Sequence, residues 1–257
     1  LGTEEQRAGP YQSVSAGFVS TCGLRADGSA VCWGYNDDGQ TTVPETLGML
    51  GFGQIAAGNA HACELKRDGT IACWGNNDEG QATAPAGMFT QVVAGDGHSC
   101  AIRVDGTATC WGRPSSTFIN TVFDEYGPYR QLASGTQHAI CALATGAGQG
   151  QQSVCVNEGV GDHSDSISAR NITSDYSSSL SQFASSSLCA VAADGTGYCR
   201  TVSGAVSPAD GAIPQGLWQR LESGLNHQCG LKANGSIECW GDNLVDNQLA
   251  NLPASTE

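Results

Sequence analysis

Twelve cysteines stand among the 257 residues, and ten of them fall in pairs ten residues apart: Cys22 with Cys32, Cys63 with Cys73, Cys100 with Cys110, Cys189 with Cys199 and Cys229 with Cys239. Thiols at a fixed spacing offer two chemistries, metal ligation or oxidation to a disulfide. Structural zinc takes four ligands, commonly delivered by CxxC knuckles. The chain contains no CxxC, and each unit supplies two thiols. The residues midway between the partners are Asp27, Asp68, Asp105, Asp194 and Asn234, each followed by glycine. That is the signature of a tight hairpin whose glycine takes the left-handed conformation. Counting outward from a three-residue loop at 26–28 sets Cys22 directly across from Cys32, within reach of a cross-strand disulfide if the pair is not hydrogen-bonded. Cys141 and Cys155 form a sixth pair, fourteen apart, around the longer turn ATGAGQGQQ. The twelve thiols are therefore expected in six disulfides, which places the chain in an oxidising compartment, extracellular or at a cell surface. Closing an eleven-residue loop is worth roughly 2 to 3 kcal/mol in chain entropy, less where turn preference already orders the hairpin.

Other residues with chemistry to offer are few. His61, His98 and His227 lie two residues before their cysteines, and His138 three before Cys141. Strand alternation sets the first three on the cysteine's face, toward a neighbouring unit. Ser20 and Ser187 take the slot in other units, which weakens any metal ring that needs all six. Asp37 with Asp38, and Asp78 with Glu79, lie beside glycine in corresponding loops, but their spacing misses the EF-hand pattern and they read as solvated acids. With no nucleophile motif, phosphate loop or HExxH, the reading assigns no catalytic residue, no metal and no cofactor, and expects no enzyme.

The elements that position these residues repeat as well. Ahead of each first cysteine comes an aromatic, an aliphatic and then small residues ending in glycine: YQSVSAG from Tyr11, FGQIAAG from Phe52, FTQVVAG from Phe89, YRQLASG from Tyr129 and LWQRLESG around Trp218. These read as short strands entering the hairpin. After the second cysteine, WGYNDDGQTTVP from Trp33 and WGNNDEGQATAP from Trp74 suggest a loop and a fourth, outer strand. First cysteines recur at intervals of 41, 37, 41, 48 and 40 residues. A period near 40 with several short strands per unit points to a propeller, because one sheet cannot bury both faces without neighbours. The expected fold is all-β, a single β-propeller domain over 1–257. Its repeats run at about 11–50, 51–87, 88–127, 128–174, 175–215 and 216–257, with 1–10 a partial repeat or closure strand.

The small-residue strand ending in glycine, the histidine before an apolar strand, and WGxNxxGQ together resemble the regulator-of-chromosome-condensation repeat family over nearly the whole chain. GQTTVP is similar to a stretch of the secreted propeller-type inhibitor of beta-lactamase, and the paired cysteines resemble extracellular members such as the plant Crinkly receptor ectodomains. The resemblance implies a packing role for the histidines and a ring that in this family usually has seven blades. Six repeats favour six blades here, with seven the alternative. In the inhibitor, aromatics before the histidine slot form the binding face. The matching residues here are Val19, Ala60, Gly97, Gln137, Ser186 and Asn226, so inhibition of beta-lactamase is not expected.

A net charge of -14, with only Lys66 and Lys232 as lysines, repels phosphate backbones, so nucleic acid is excluded as a partner. Disulfides and the acidic surface likewise exclude the chromatin and small-GTPase roles of nuclear family members. No apolar run approaches the ~18 residues of a membrane span, so no membrane insertion is expected. The polar start LGTEEQRAGP has no signal segment, as expected of a processed chain or a piece of a longer one. Two irregular stretches are candidate binding elements. One is RPSSTFINTVFDEY, which brings Phe118, Phe123 and Tyr126 together; the other is a polar rim from Asn157 to Asp175. Asn171 and Asn234 head candidate glycosylation sequons. The functional expectation is a secreted or surface-exposed, non-enzymatic recognition propeller that binds a protein partner or its own kind through blade loops. A lectin for glycans and a structural subunit or fragment of an extracellular surface assembly are the alternatives.

Overall fold

The computed structural model describes residues 10–45, 51–113, 116–134, 139–144, 153–157, 187–191, 195, 197–201, 216–223 and 227–241. Six antiparallel sheets follow one another along the chain. Blade one holds β1 (Tyr11–Ala16), β2 (Ser20–Arg25) and β3 (Ala30–Gly34). Blade two holds β4 (Phe52–Ala57), β5 (His61–Lys66) and β6 (Ile71–Gly75), and blade three β7 (Phe89–Ala94), β8 (His98–Arg103) and β9 (Ala108–Gly112). A helix, α1 (Ser116–Tyr126), precedes blade four, which comprises β10 (Tyr129–Ser134), β11 (Ala139–Ala144) and β12 (Ser153–Asn157). Blade five contributes β13 (Ser187–Val191) and β14 (Gly197–Thr201), and blade six β15 (Trp218–Ser223), β16 (His227–Lys232) and β17 (Ile237–Gly241).

The hairpins form as the cysteine spacing predicts. Gly28 has φ +83° and donates its N–H to the Arg25 carbonyl at 3.0 Å, while Arg25 donates to Ser29 at 2.8 Å. Asp27 closes the turn: its Oδ1 accepts from the Ser29 amide at 2.8 Å and from the Ser29 hydroxyl at 2.7 Å. Asp68, Asp105 and Asn234 repeat this arrangement with Thr70, Thr107 and Ser236. The register then sets each first cysteine opposite its second, with Cα atoms 4.0 Å apart at Cys22–Cys32, Cys63–Cys73, Cys100–Cys110 and Cys229–Cys239, and all four pairs are disulfide-bonded. Cys141 lies across from Cys155, and Cys189 from Cys199, in the same strand register. Their side chains fall outside the described residues.

The core lies between blades. Cys22 and Leu24 of blade one pack with Ile55, Ala57, Ala62 and Trp74 of blade two, and Cys63 and Leu65 of blade two pack with Phe89, Val92 and Ala94 of blade three. Burying one such leucine or isoleucine is worth about 1.5 to 3 kcal/mol. Three of these junctions are also stitched by backbone: Phe89 donates to Gly69 at 2.8 Å, Tyr129 to Gly106 at 2.7 Å and Trp218 to Gly195 at 2.8 Å. Tyr11 donates to Gly235 at 2.8 Å in the same way, and Tyr11 and Val14 pack with Cys229, Leu231 and Ile237. Blade six therefore abuts blade one directly, as the reading of six blades requires.

Two local expectations are corrected. Residues 35–45 and 76–86 form turns and irregular chain where a fourth strand was expected. The reason is side-chain capture of the loop backbone: Asn36 Oδ1 accepts from the Thr41 amide and Gln40 Oε1 from the Asp38 amide, repeated by Asn77 with Ala82 and Gln81 with Glu79. In blade three the place beside the last strand is taken by α1, whose Asn120 accepts from the Cys110 amide at 2.7 Å and donates to the Cys110 carbonyl at 3.0 Å. The expected closure segment 1–10 lies outside the described residues, apart from Pro10.

Candidate functional site

Three places gather polar side chains. The first is the pair of WGxNxxGQ loops of blades one and two. Trp74 donates its indole N–H to the Gln40 carbonyl at 3.1 Å, and Trp111 does the same to Gln81 at 3.0 Å. The glutamine of one loop thus latches the tryptophan of the next blade. Gly75 and Gly112 follow those tryptophans at φ +94° and +104°, and a Cβ on Gly75 would lie 2.6 Å from the Ala60 carbonyl oxygen. The loops are joined to each other: the Asn76 amide donates to Asp38 and to Asp78, both at 3.0 Å. Asp37, Asp38, Asp78 and Glu79 are exposed on this preorganised edge.

The second place is the histidine slot. His61 is fully buried, with its Nε2 2.8 Å from the Ser99 hydroxyl. A serine beside a histidine suggests a nucleophile with its base, but both side chains are fully buried, out of reach of a substrate. The single Ser99 hydroxyl proton goes to the Gln81 carbonyl at 3.1 Å, so His61 donates from Nε2 and its Nδ1 keeps a bare lone pair. Nδ1 has no partner among the described residues. Burial, with His98 nearby, accordingly holds the His61 pKa down to about 3. The glycine closing the preceding strand makes room for the ring: a Cβ on Gly58 would lie 2.6 Å from His61 Cε1. His61 and His98 thus pack as the resemblance implied, and His138 lies outside the described residues.

The third place is the ring's central cavity, about 280 Å³, lined by the innermost strands. Gln54 accepts from the Val92 amide and donates to the Val92 carbonyl, both at 3.0 Å, and Gln91 makes the same exchange with Leu132 at 2.7 and 2.9 Å. Blade six places Arg220 and Glu222 on the wall, paired through Arg220 Nε. Burial pushes the Glu222 carboxyl up against the opposing pull of the guanidinium, while Glu222 raises Arg220. The sequence reading passed over these glutamines; the recurrence of Gln54, Gln91 and Gln131 two residues after the leading aromatics of blades two, three and four was the signal. Arg220 and Glu222 carry no such signal, since they break the pattern.

Of the predicted binding residues, Phe123 is a core residue, 2% exposed, packing on Tyr129 with ring centroids 5.2 Å apart. It is corrected from a contact residue to a packing one, because α1 turns its apolar side toward the blades, where Ile119 is also buried. Phe118 and Tyr126 lie on α1 with side chains outside the described residues, as does Asn171 altogether. Asn234 fills the turn position of Asp27 and receives the Ser236 amide and hydroxyl. No group of metal-ligating side chains occurs among the described residues, and none of their helices is long and apolar enough to cross a membrane.

The family model for the regulator of chromosome condensation (RCC1) repeat matches residues 11–40, 54–81 and 89–116. No curated protein matches the chain. Among solved structures, the chain is similar to the entire ectodomain of the receptor kinase CR4 from Physcomitrella patens, at 20% identity and a TM-score of 0.59, covering 91% of this chain. It spans 62% of that ectodomain. It is similar to Prp20p of Saccharomyces cerevisiae, a protein described with its binding to Gsp1p and histones, at 15% identity and a TM-score of 0.58 over 89% of this chain and 71% of the other. It also resembles the C-terminal domain of gp131 from bacteriophage phiKZ, at 13% identity and a TM-score of 0.52 over 97% of this chain and 98% of that one. Residues 11–116 thus carry three matches to the RCC1 repeat, and the likeness to these solved structures shows the chain as a β-propeller.

Proposed function

We propose that this propeller is a secreted or surface-exposed recognition module with no reaction of its own, binding a protein partner through the loops of blades one and two. The observation that carries this reading is the latched loop pair, where Asn76 ties Asp38 to Asp78 across a blade junction and leaves four acids on an edge whose backbone is already ordered. Preorganised loops lose little conformational entropy on binding, and a patch of carboxylates steers a cationic partner. The four disulfides support an oxidising compartment. The Ser99–His61 pair is buried and so offers no nucleophile at the surface.

The test uses the oxidised chain and a variant with Asp37, Asp38 and Asp78 changed to Asn and Glu79 changed to Gln. The native chain is expected to retain a protein from extracellular fractions in a salt-sensitive manner, and the variant to release it. Retention that survives the variant, or that soluble glycans compete away, would overturn the reading in favour of another face or of a lectin.

A further inference from the structure

The innermost strands place equivalent residues around the cavity. Where blades two, three and four carry Gln54, Gln91 and Gln131, blade six carries Arg220; where they carry Ala56, Val93 and Ala133, it carries Glu222. Gln54 and Gln91 clamp the next blade through both an acceptor and a donor. Arginine has donors only and cannot accept from the corresponding amide, that of Val14. Blade six therefore gives up a contact that the ring uses elsewhere and puts a charge on the cavity wall instead.

The charge is held in a fixed posture. Glu222, with its side chain 1% exposed, sits behind the guanidinium and takes the Nε hydrogen, whereas the Arg220 side chain is 42% exposed. Arg220 has no other hydrogen-bond partner among the described residues, so its terminal nitrogens keep their N–H groups unspent. A guanidinium edge offers two parallel donors at the spacing of two carboxylate oxygens. The glutamine amides add to this, because each Nε2 carries two hydrogens and Gln54 and Gln91 each spend one on the neighbouring blade. At about 280 Å³ the space lies at the lower edge of the roughly 300 Å³ where ligand pockets begin, which suits a small organic acid.

We propose that the central cavity is a binding site for a small carboxylic acid, its carboxylate received by the terminal nitrogens of Arg220, with Glu222 and the glutamine ring as positioning and secondary groups. This site is separate from the loops proposed to meet a protein partner.

The experiment is calorimetric titration of the oxidised full chain with succinate, and with its uncharged diamide as control. Saturable one-site binding of succinate is expected, with no binding of the diamide. Arg220→Gln combined with Glu222→Ala installs the pair that blades two and four carry and leaves no unpaired buried carboxylate, so the ring should accept it with little change in melting temperature, and succinate affinity should fall at least tenfold. Arg220→Lys keeps the charge without the fork and should weaken binding by a smaller factor. No binding of succinate, citrate or acetate at millimolar concentration, equal binding of the diamide, or affinity unchanged in both variants would overturn the proposal.

Discussion

Gln54 hydrogen-bonds the backbone of Val92 in the adjoining blade as a neighbouring strand would, accepting its N–H and donating to its carbonyl at 3.0 Å each. Sheets in a propeller meet face to face and share no ladder, so the innermost strands need another way to fix their relative height. A side-chain amide carries a donor and an acceptor in one plane and supplies it. Gln54→Ala leaves both Val92 groups unsatisfied and is expected to destabilise the ring by about 2 to 4 kcal/mol. Gln54→Glu, which when ionised retains only acceptors, should fall between. Denaturant melts of the two variants against the native chain check the order.

Gly75 and Gly39 both have positive φ, +94° and +78°, yet replacing them should cost very different amounts. A Cβ on Gly39 meets nothing within 4 Å, whereas on Gly75 it would lie 2.6 Å from the Ala60 carbonyl oxygen and 2.8 Å from His61 Cα. Gly39→Ala is therefore expected to cost about 1 to 2 kcal/mol from backbone conformation alone. Gly75→Ala should cost at least about twice that, because the blade junction must shift. Equal melting temperatures for the two variants would contradict the steric account.

Stability should be flat between about pH 4.5 and 6.5 and should decline on either side. His61 is held at about 3 by burial against an ordinary 6.5, so the unfolded chain takes up a proton that the fold refuses, and stability is lost as pH falls from 6.5 toward 3. Glu64 lies buried between Ile55 and Ala72 with neither oxygen hydrogen-bonded among the described residues, and burial raises it from 4.5 to about 7. Its contribution is complete below 4.5 and is lost as pH rises to 7. The slopes oppose each other inside that window. Glu64→Ala, the residue blade three carries at Ala101, should raise stability at pH 8 by up to about 3 kcal/mol and change little at pH 4. Chemical denaturation across pH tests both limbs.

Asp27, Asp68 and Asp105 are held below the usual carboxylate range chiefly by the hydroxyls of Ser29, Thr70 and Thr107, and then by the amides of the same residues. Their stabilisation is present above the ordinary value and is lost as pH falls through their lowered ones. Changing each to Ala should flatten the acid limb of the stability profile. Changing each to Asn, as the protein itself does at Asn234, should flatten it while keeping most of the turn.

The hairpins were legible from sequence because their determinants are local: two cysteines, a central acid and a glycine fix register within eleven residues. The ring was legible through its period. What escaped the reading depends on partners far along the chain. A glutamine two residues after an aromatic looks like a solvent-facing strand residue until Val92, 38 positions away, is beside it. Asn36 and Asn77 capture the backbone that a fourth strand would have needed, through amides five residues further on. Phe123 was read as a loop aromatic because Ser116–Tyr126 has an apolar spacing too short to separate a helix from a loop without its docking surface.

Each described disulfide closes across its own turn, ten residues from thiol to thiol. A hairpin of that size forms in microseconds, far faster than thiols exchange, so the correct partner is already opposite when oxidation occurs. The bonds can be made in sequence order as each blade forms, before any ring exists, and a chain so built would have little call on the enzymes that reshuffle mispaired cysteines.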